Sequence, residues 1–223
     1  MPPNKVGAVF LWMKEMALPA RPCPPVDLVG EEAQLFLTLR PAPEIGEWVQ
    51  RNILSDDGPI HNVDHSHLID ADLCFLWAST AFTKQGRTVL GQCEQVMFRA
   101  GGWQKARQEQ QMREWFGYVP QFIITLAADY CSQCSDIEFC ALVEHELMHI
   151  GQQMDEFGSP KFDKEGFPKL CMVGHDVEEF IGVVQRYGAS QDVQRLIDAV
   201  KAGPSVARAN IAHACGTCLK VAA

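Results

Sequence analysis

The sequence predicts an α+β domain, a small and mainly antiparallel sheet packed on one central helix, with further helices towards the C-terminus. Three observations predict it. Three short stretches, Leu73–Thr80, Thr88–Phe98 and Gln121–Ala127, read as strands. A proline-free stretch, Ile137–Met154, carries Phe139, Leu142, Val143, Leu147, Ile150 and Met154 at amphipathic-helix spacing. Downstream, glycines and a capping serine punctuate two more helical segments.

Each element has a local reason. Residues 1–42 hold seven of the 13 prolines and predict an extended arm that wraps rather than folds alone. Within it, Val6–Met13 follows Lys5 as a leader's apolar run would. Lys14 and Glu15 interrupt it after eight residues, so it reads as an arm packing on the domain or a partner. Glu44–Leu54 predicts a helix with Ile45, Trp48, Val49 and Ile53 on one side, broken by Asp56-Asp57-Gly58-Pro59. Asp64 is placed to cap a short helix from His65. Lys84-Gln85-Gly86-Arg87 supplies a turn, so Leu73–Thr80 and Thr88–Phe98 read as a hairpin. Trp103–Phe116 reads as a polar helix, and Gln121–Ala127 as the third strand. After Met154 comes a loop through Pro168. Gly174-His175-Asp176 then opens a helix to Tyr187, stopped by Gly188, and Ser190 caps Gln191–Ala202 before Gly203-Pro204. A last helix is expected over Ser205–Ala214. The organisation expected is an arm at 1–42, a domain at 43–203, and a helix with a C-x-x-C tail at 204–223 packed on the domain.

Composition excludes some functions. A net charge of −9 gives no broad electrostatic attraction to nucleic acid. No run of eighteen apolar residues exists to span a membrane. Nine cysteines cannot all pair with one another, so reduced thiols and a cytoplasmic location are expected.

His145-Glu146-Leu147-Met148-His149 carries the chemistry. Residues four apart project from one helix face, so His145 and His149 can offer two imidazoles to one ion. Glu146 stands beside them as general base for a water activated by that ion, the zinc-hydrolase arrangement. A catalytic zinc needs a third protein ligand. Asp155 follows six residues after His149, but Gln152 stands where a turn glycine would be required, the glycine being Gly151. Glu165 has no supporting pattern. His175, Glu178 and Glu179 share one face of their expected helix, with Asp176 able to accept from a ligand histidine. His175 is preferred; Glu178 and Glu179 are the alternatives.

These motifs resemble metallopeptidases encoded by phages and prophages, which are similar in turn to SprT-like and Spartan zinc proteases. The matching pieces are RPAPEIGEWV (40–49), HNVDHSHL (61–68), GR…LGQCE (86–94), QFIITLA (121–127), ALVEHELMHIG (141–151) and GHDVEEF…RYG (174–188), in order over about two thirds of the chain. HELMH and GHDVEEF are the specific ones. The SprT-like pattern ends in G-H-x-x-E-F with its histidine as third ligand; GHDVEEF here is one residue longer and lies further downstream. The resemblance implies a zincin-like fold, peptidase activity and His175 as third ligand. It names no substrate.

Two C-x-x-C pairs, Cys131/Cys134 and Cys215/Cys218, could hold a second, structural zinc, with His213 as a substitute ligand. Independent thiols are the simpler expectation. His61, His65 and His67 read as structural, capping a short helix and packing under the sheet, rather than lining a cleft. Arg186 and Tyr187 are candidates for stabilising an oxyanion, or else a solvated arginine and a packing tyrosine. The expected function is zinc-dependent hydrolysis of peptide bonds in a protein or peptide substrate. The rivals are peptidoglycan cleavage as an amidase or endopeptidase in phage lysis, and a non-catalytic metal-binding interaction protein. Oligomeric state is not legible.

Overall fold

The computed structural model describes residues 18–84, 87–177, 181–209 and 215. In chain order the helices and strands are α1 (Glu31–Leu35), β1 (Leu39–Pro41), α2 (Pro43–Val49), β2 (Leu73–Ala78), β3 (Phe82–Lys84), β4 (Arg87–Val89), β5 (Gly91–Gln95), α3 (Gly102–Phe116), β6 (Phe122–Ala127), α4 (Ala128–Cys131), α5 (Asp136–Met148), β7 (Ile150–Gln152), β8 (Leu170–Met172), α6 (Ile181–Tyr187) and α7 (Gln191–Ala202). The fold is α+β.

The main sheet has the order β1-β2-β6-β5. β2 and β6 run parallel, Leu73 opposite Phe122, and the two outer pairings are antiparallel. The expected hairpin between Leu73–Thr80 and Thr88–Phe98 therefore does not form. Lys84 instead pairs with Arg87 in the small β3–β4 ribbon, residues 85 and 86 lying outside the described residues, and β6 separates β2 from β5. The reason lies in the side chains. β6 is buried on both faces through Phe122, Ile123, Ile124, Leu126 and Ala127, as an interior strand must be. β5 (Gly91-Gln92-Cys93-Glu94-Gln95) buries only Gly91 and Cys93, and that alternation suits an edge.

One face of this sheet presents Phe75, Trp77, Cys93, Phe122, Ile124 and Leu126 to a core shared with α2 and α5. Phe139 of α5 lies at its centre. Its ring meets Trp48 edge-on at 5.3 Å and Trp77 at 6.4 Å. The helix expected over Glu44–Leu54 is α2 with a π-turn, Gln50–Leu54, at its end. The arm joins the domain through β1, through Arg21, which pairs with Asp136 and donates to Cys131 O, and through Ala20 O, which accepts from Trp48 Nε1. Residues 205–209 are not helical, and the rest of the helix expected to Ala214 lies outside the described residues, as does the leader-like run at 6–13. No disulfide joins the described cysteines, and no described helix is long and apolar enough to cross a membrane.

The histidines at 61–67 brace the region below α5. A 3-10 turn, Val63–Leu68, is capped by Asn62, whose side chain accepts from Asp64 N–H; the expected cap was Asp64. Asn62 wins because its carbonyl oxygen reaches the second amide of the turn. His61 Nδ1 donates to Ile53 O, and His67 Nε2 donates to Ile150 O at 2.6 Å. His65 is fully buried, and among the described residues neither ring nitrogen has a hydrogen-bond partner. Burial, aided by His67, lowers its pKa to about 4.

Two stability predictions follow from these contacts. Phe139→Ala should cost about 3–5 kcal/mol in chemical denaturation, whereas Ser135→Ala, which removes only the cap of α5, should cost about 1 kcal/mol. For His65, the unfolded chain takes up a proton below about pH 6.5 while the native state does not until about pH 4. Its contribution is thus full above pH 6.5 and lost as pH falls through that window. The drop in unfolding free energy from about pH 7 to about pH 5 should be larger for the parent than for His65→Asn; equal drops would assign the loss to other groups.

Candidate metal centre

α5 begins at a reciprocal cap: Ser135 accepts from Glu138 N–H, and the Glu138 carboxylate accepts from Ser135 N–H. With that start fixed, Phe139, Leu142, Val143 and Leu147 turn into the core. His145 and His149 then face one side together, their rings 5.2 Å apart. The helix stops at Met148 with His149 as its C-cap, short of the Met154 expected from apolar spacing. Continuation would need Gln153 N–H to bond His149 O. Instead Val173 N–H takes His149 O at 2.9 Å, and Gln153 N–H goes to Lys169 O at 2.7 Å. Residues 150–152 pair with 170–172 as a β ribbon, Gly151 opposite Cys171. The ribbon's apolar Ile150 mimics helical periodicity in the sequence.

This ribbon builds the site. Val173, just after β8, gives its N–H to His149 O and its own carbonyl to His149 Nδ1 at 2.8 Å. A carbonyl only accepts, so Nδ1 carries the proton and Nε2 presents a lone pair to the centre. Gly151 permits the approach: a Cβ there would lie 2.8 Å from Val173 Cγ1. Two residues further on, His175 reaches the same point. Its ring is 5.0 Å from that of His145 and 5.1 Å from that of His149, and the Nε2 atoms of His145 and His175 are 3.1 Å apart. His175 sits on a non-helical stretch; the next described helix, α6, starts at Ile181. The helix expected to open at Gly174 is therefore absent at 173–175, where Val173 bonds His149 through both its N–H and its carbonyl. Glu178 and Glu179 lie outside the described residues.

A fourth donor completes the cluster. Cys215 Sγ is 3.1 Å from His149 Nε2, and the donor atoms of His145, His149, His175 and Cys215 all lie within 4.8 Å of one another. The sequence offered Cys215 either as an independent thiol, the simpler expectation, or as a partner of Cys131 and Cys134 in a structural zinc site. The structure seats it with the histidines, while Cys131 and Cys134 lie buried near Arg21, and Cys218 and His213 lie outside the described residues. A contact across 66 residues leaves no spacing signal, so nothing in the sequence pointed to it.

Glu146 is fully buried beside the histidines. Gly91 of β5 makes room for it: a Cβ at Gly91 would stand 2.8 Å from Glu146 Oε1 and 3.1 Å from Leu142 Cδ1. Gly91 is a second residue that sequence reasoning did not single out. Asp155 is engaged elsewhere, accepting from Phe157 and Ser159 N–H groups that hold its carboxyl below the usual range. Glu165 lies in an analogous exposed turn organised by Asp163. Arg186 stacks on the exposed ring of Tyr187.

The donor set fits zinc. Zinc–nitrogen bonds of about 2.0–2.1 Å at tetrahedral angles put neighbouring nitrogens roughly 3.3 Å apart, close to the 3.1 Å seen between His145 and His175. Two imidazole Nε2 atoms facing each other, with a third imidazole locked in the lone-pair tautomer, form an acceptor-rich pocket suited to a cation.

A family model described as "Putative phage metallopeptidase" matches residues 46–201. The chain belongs to this family. The matched span holds His145, Glu146, His149 and His175, and Cys215 lies beyond it. No curated protein and no solved structure matches the chain.

Metal analysis checks the centre. The parent should bind one zinc per chain, and His149→Ala or His175→Ala should lower zinc affinity by well over tenfold, at least the scale seen for lost outer-shell partners, about 10–100-fold. A folded His175→Ala protein with undiminished zinc would move the third ligand to another residue.

Proposed function

We propose that this member of the phage metallopeptidase family is a zinc-dependent peptidase of zincin-like fold. His145, His149 and His175 are its metal ligands and Glu146 is its general base. The observation that carries this reading is the buried carboxylate of Glu146 beside three convergent imidazoles. Burying a carboxylate is costly, and a centre serving only to hold the fold has no use for one at that point. Zinc bound there would polarise a scissile carbonyl and acidify water. The chain's own residues do the rest. Glu146 takes a proton from the attacking water at its carboxylate and passes it to the leaving amine nitrogen. The hydrogen bond from His149 Nδ1 to Val173 O holds that ring in place, and the missing side chain at Gly91 leaves the carboxylate its room.

One observation favours a second reading, a non-catalytic metal-binding protein. Four protein donors make a closed set of the kind structural zinc sites have. Glu146→Gln separates the two. Gln is nearly isosteric and cannot accept the proton, so zinc content and melting temperature should hold while kcat/KM on a cleaved peptide falls by about 10²–10⁴-fold. Gly91→Ala should also retain zinc and lose activity, up to about 10²-fold, by displacing the carboxylate. A peptide assay run beside purified peptidoglycan identifies the substrate class. Equal cleavage by the parent and Glu146→Gln would remove Glu146 as base.

A further inference from the structure

The geometry points to Cys215 as a latency ligand: its thiolate fills the fourth position of the His145–His149–His175 centre, and the enzyme acts only when that sulfur leaves. This rests on the peptidase reading above and adds a restraint to it.

The donor arrangement is the first argument. The sulfur lies 3.1 Å from His149 Nε2, the nitrogen that the Val173 contact turns inward. Cys215 is 7% exposed, so its side chain is directed into the protein and not into solvent. Catalytic zinc centres keep three protein ligands and one open position, and structural ones are closed by a fourth. Here a closed donor set stands beside a buried base, and neither class alone accounts for both.

The second argument is where the backbone of Cys215 lies. It forms a parallel bridge with Gly91, on the outer side of β5, the terminal strand of the sheet. An unpaired strand edge is where an extended peptide adds to a sheet. Gly91 is also the residue whose missing Cβ accommodates Glu146. Cys215 thus takes both the open metal position and the strand edge next to the base. It stands 40 residues beyond His175 (215 − 175), outside the span shared with the family. When the sulfur leaves, it keeps its electron pair and takes a proton from solvent, and water takes its place.

The test uses the full chain with cobalt(II) in place of zinc, so that ligation is read by absorption. The parent should show a thiolate-to-cobalt charge-transfer band. Cys215→Ala should lose that band, keep one metal per chain and keep its visible bands. The probe for the open position is acetohydroxamate. If the open form is below about a tenth of the parent population, the variant should bind the probe about tenfold or more tightly, and its peptide hydrolysis should rise by a similar factor. Cys215→Ser, nearly isosteric, carries the comparison if the alanine variant does not fold.

No charge-transfer band in the parent would overturn the proposal. So would loss of metal from both folded variants, which makes Cys215 a structural ligand, or equal acetohydroxamate affinity in parent and variant. Discriminating hydroxamate affinities with no hydrolysis by any protein would uphold Cys215 as the occluding ligand and count against the peptidase reading.

Discussion

The contact between His149 and Val173 organises everything around the centre. Through it one backbone position ends α5, fixes the tautomer of His149 and starts the return that delivers His175. Its two hydrogen bonds form only if Ile150–Gln152 and Leu170–Met172 pair in register, and that register requires Gly151 to be without a side chain against Val173. His67 adds a tie to Ile150 O from the turn below. A helix brings two donors together because its geometry repeats every turn. A third donor has to come from elsewhere in the chain, and the ribbon anchored on His149 brings His175 to it.

A similar economy holds at Glu146. A buried carboxylate can be kept only where packing leaves it room and the surroundings compensate its desolvation. β5 provides the room by being the most weakly apolar strand of the sheet. Gly91 and Cys93 face inward as small residues, while Gln92, Glu94 and Gln95 remain partly exposed. A larger inward residue would suit the core and close the site. The edge position of β5 and the catalytic arrangement proposed for α5 are therefore one constraint seen from two sides.

Much of this was legible in the sequence, and the failures share a cause. Helical spacing within His145–His149, the serine cap at Ser190 and the strand at 122–127 are local, and all three are found. What depends on distant partners was not legible. The apolar alternation after Met148 reads as more helix, because nothing nearby reveals that His149 O is taken by residue 173. Lys84 and Arg87 pair across the expected turn, yet local signals do not reveal that β6 inserts between β2 and β5; its two-sided apolarity was the available hint. His175 was found through a resemblance and a spacing argument that put it on a helix, whereas a straight segment presents it. Cys215 shows the limit most sharply: its C-x-x-C context suggested cysteine partners, and burial next to His149 depends wholly on tertiary placement.

The four donors differ in what they would contribute to the folded state. His145 and His149 are fixed by α5, and His175 by the ribbon, so all three are held before any metal arrives. Binding to such a preorganised set carries little ordering cost, and the cation in turn favours the conformation in which all three meet. Cys215 is joined to the centre by its sulfur and one bridge to Gly91. The latency proposed for Cys215 accordingly has a competing oxygen donor replace the sulfur while α5 and the ribbon keep the three histidines together.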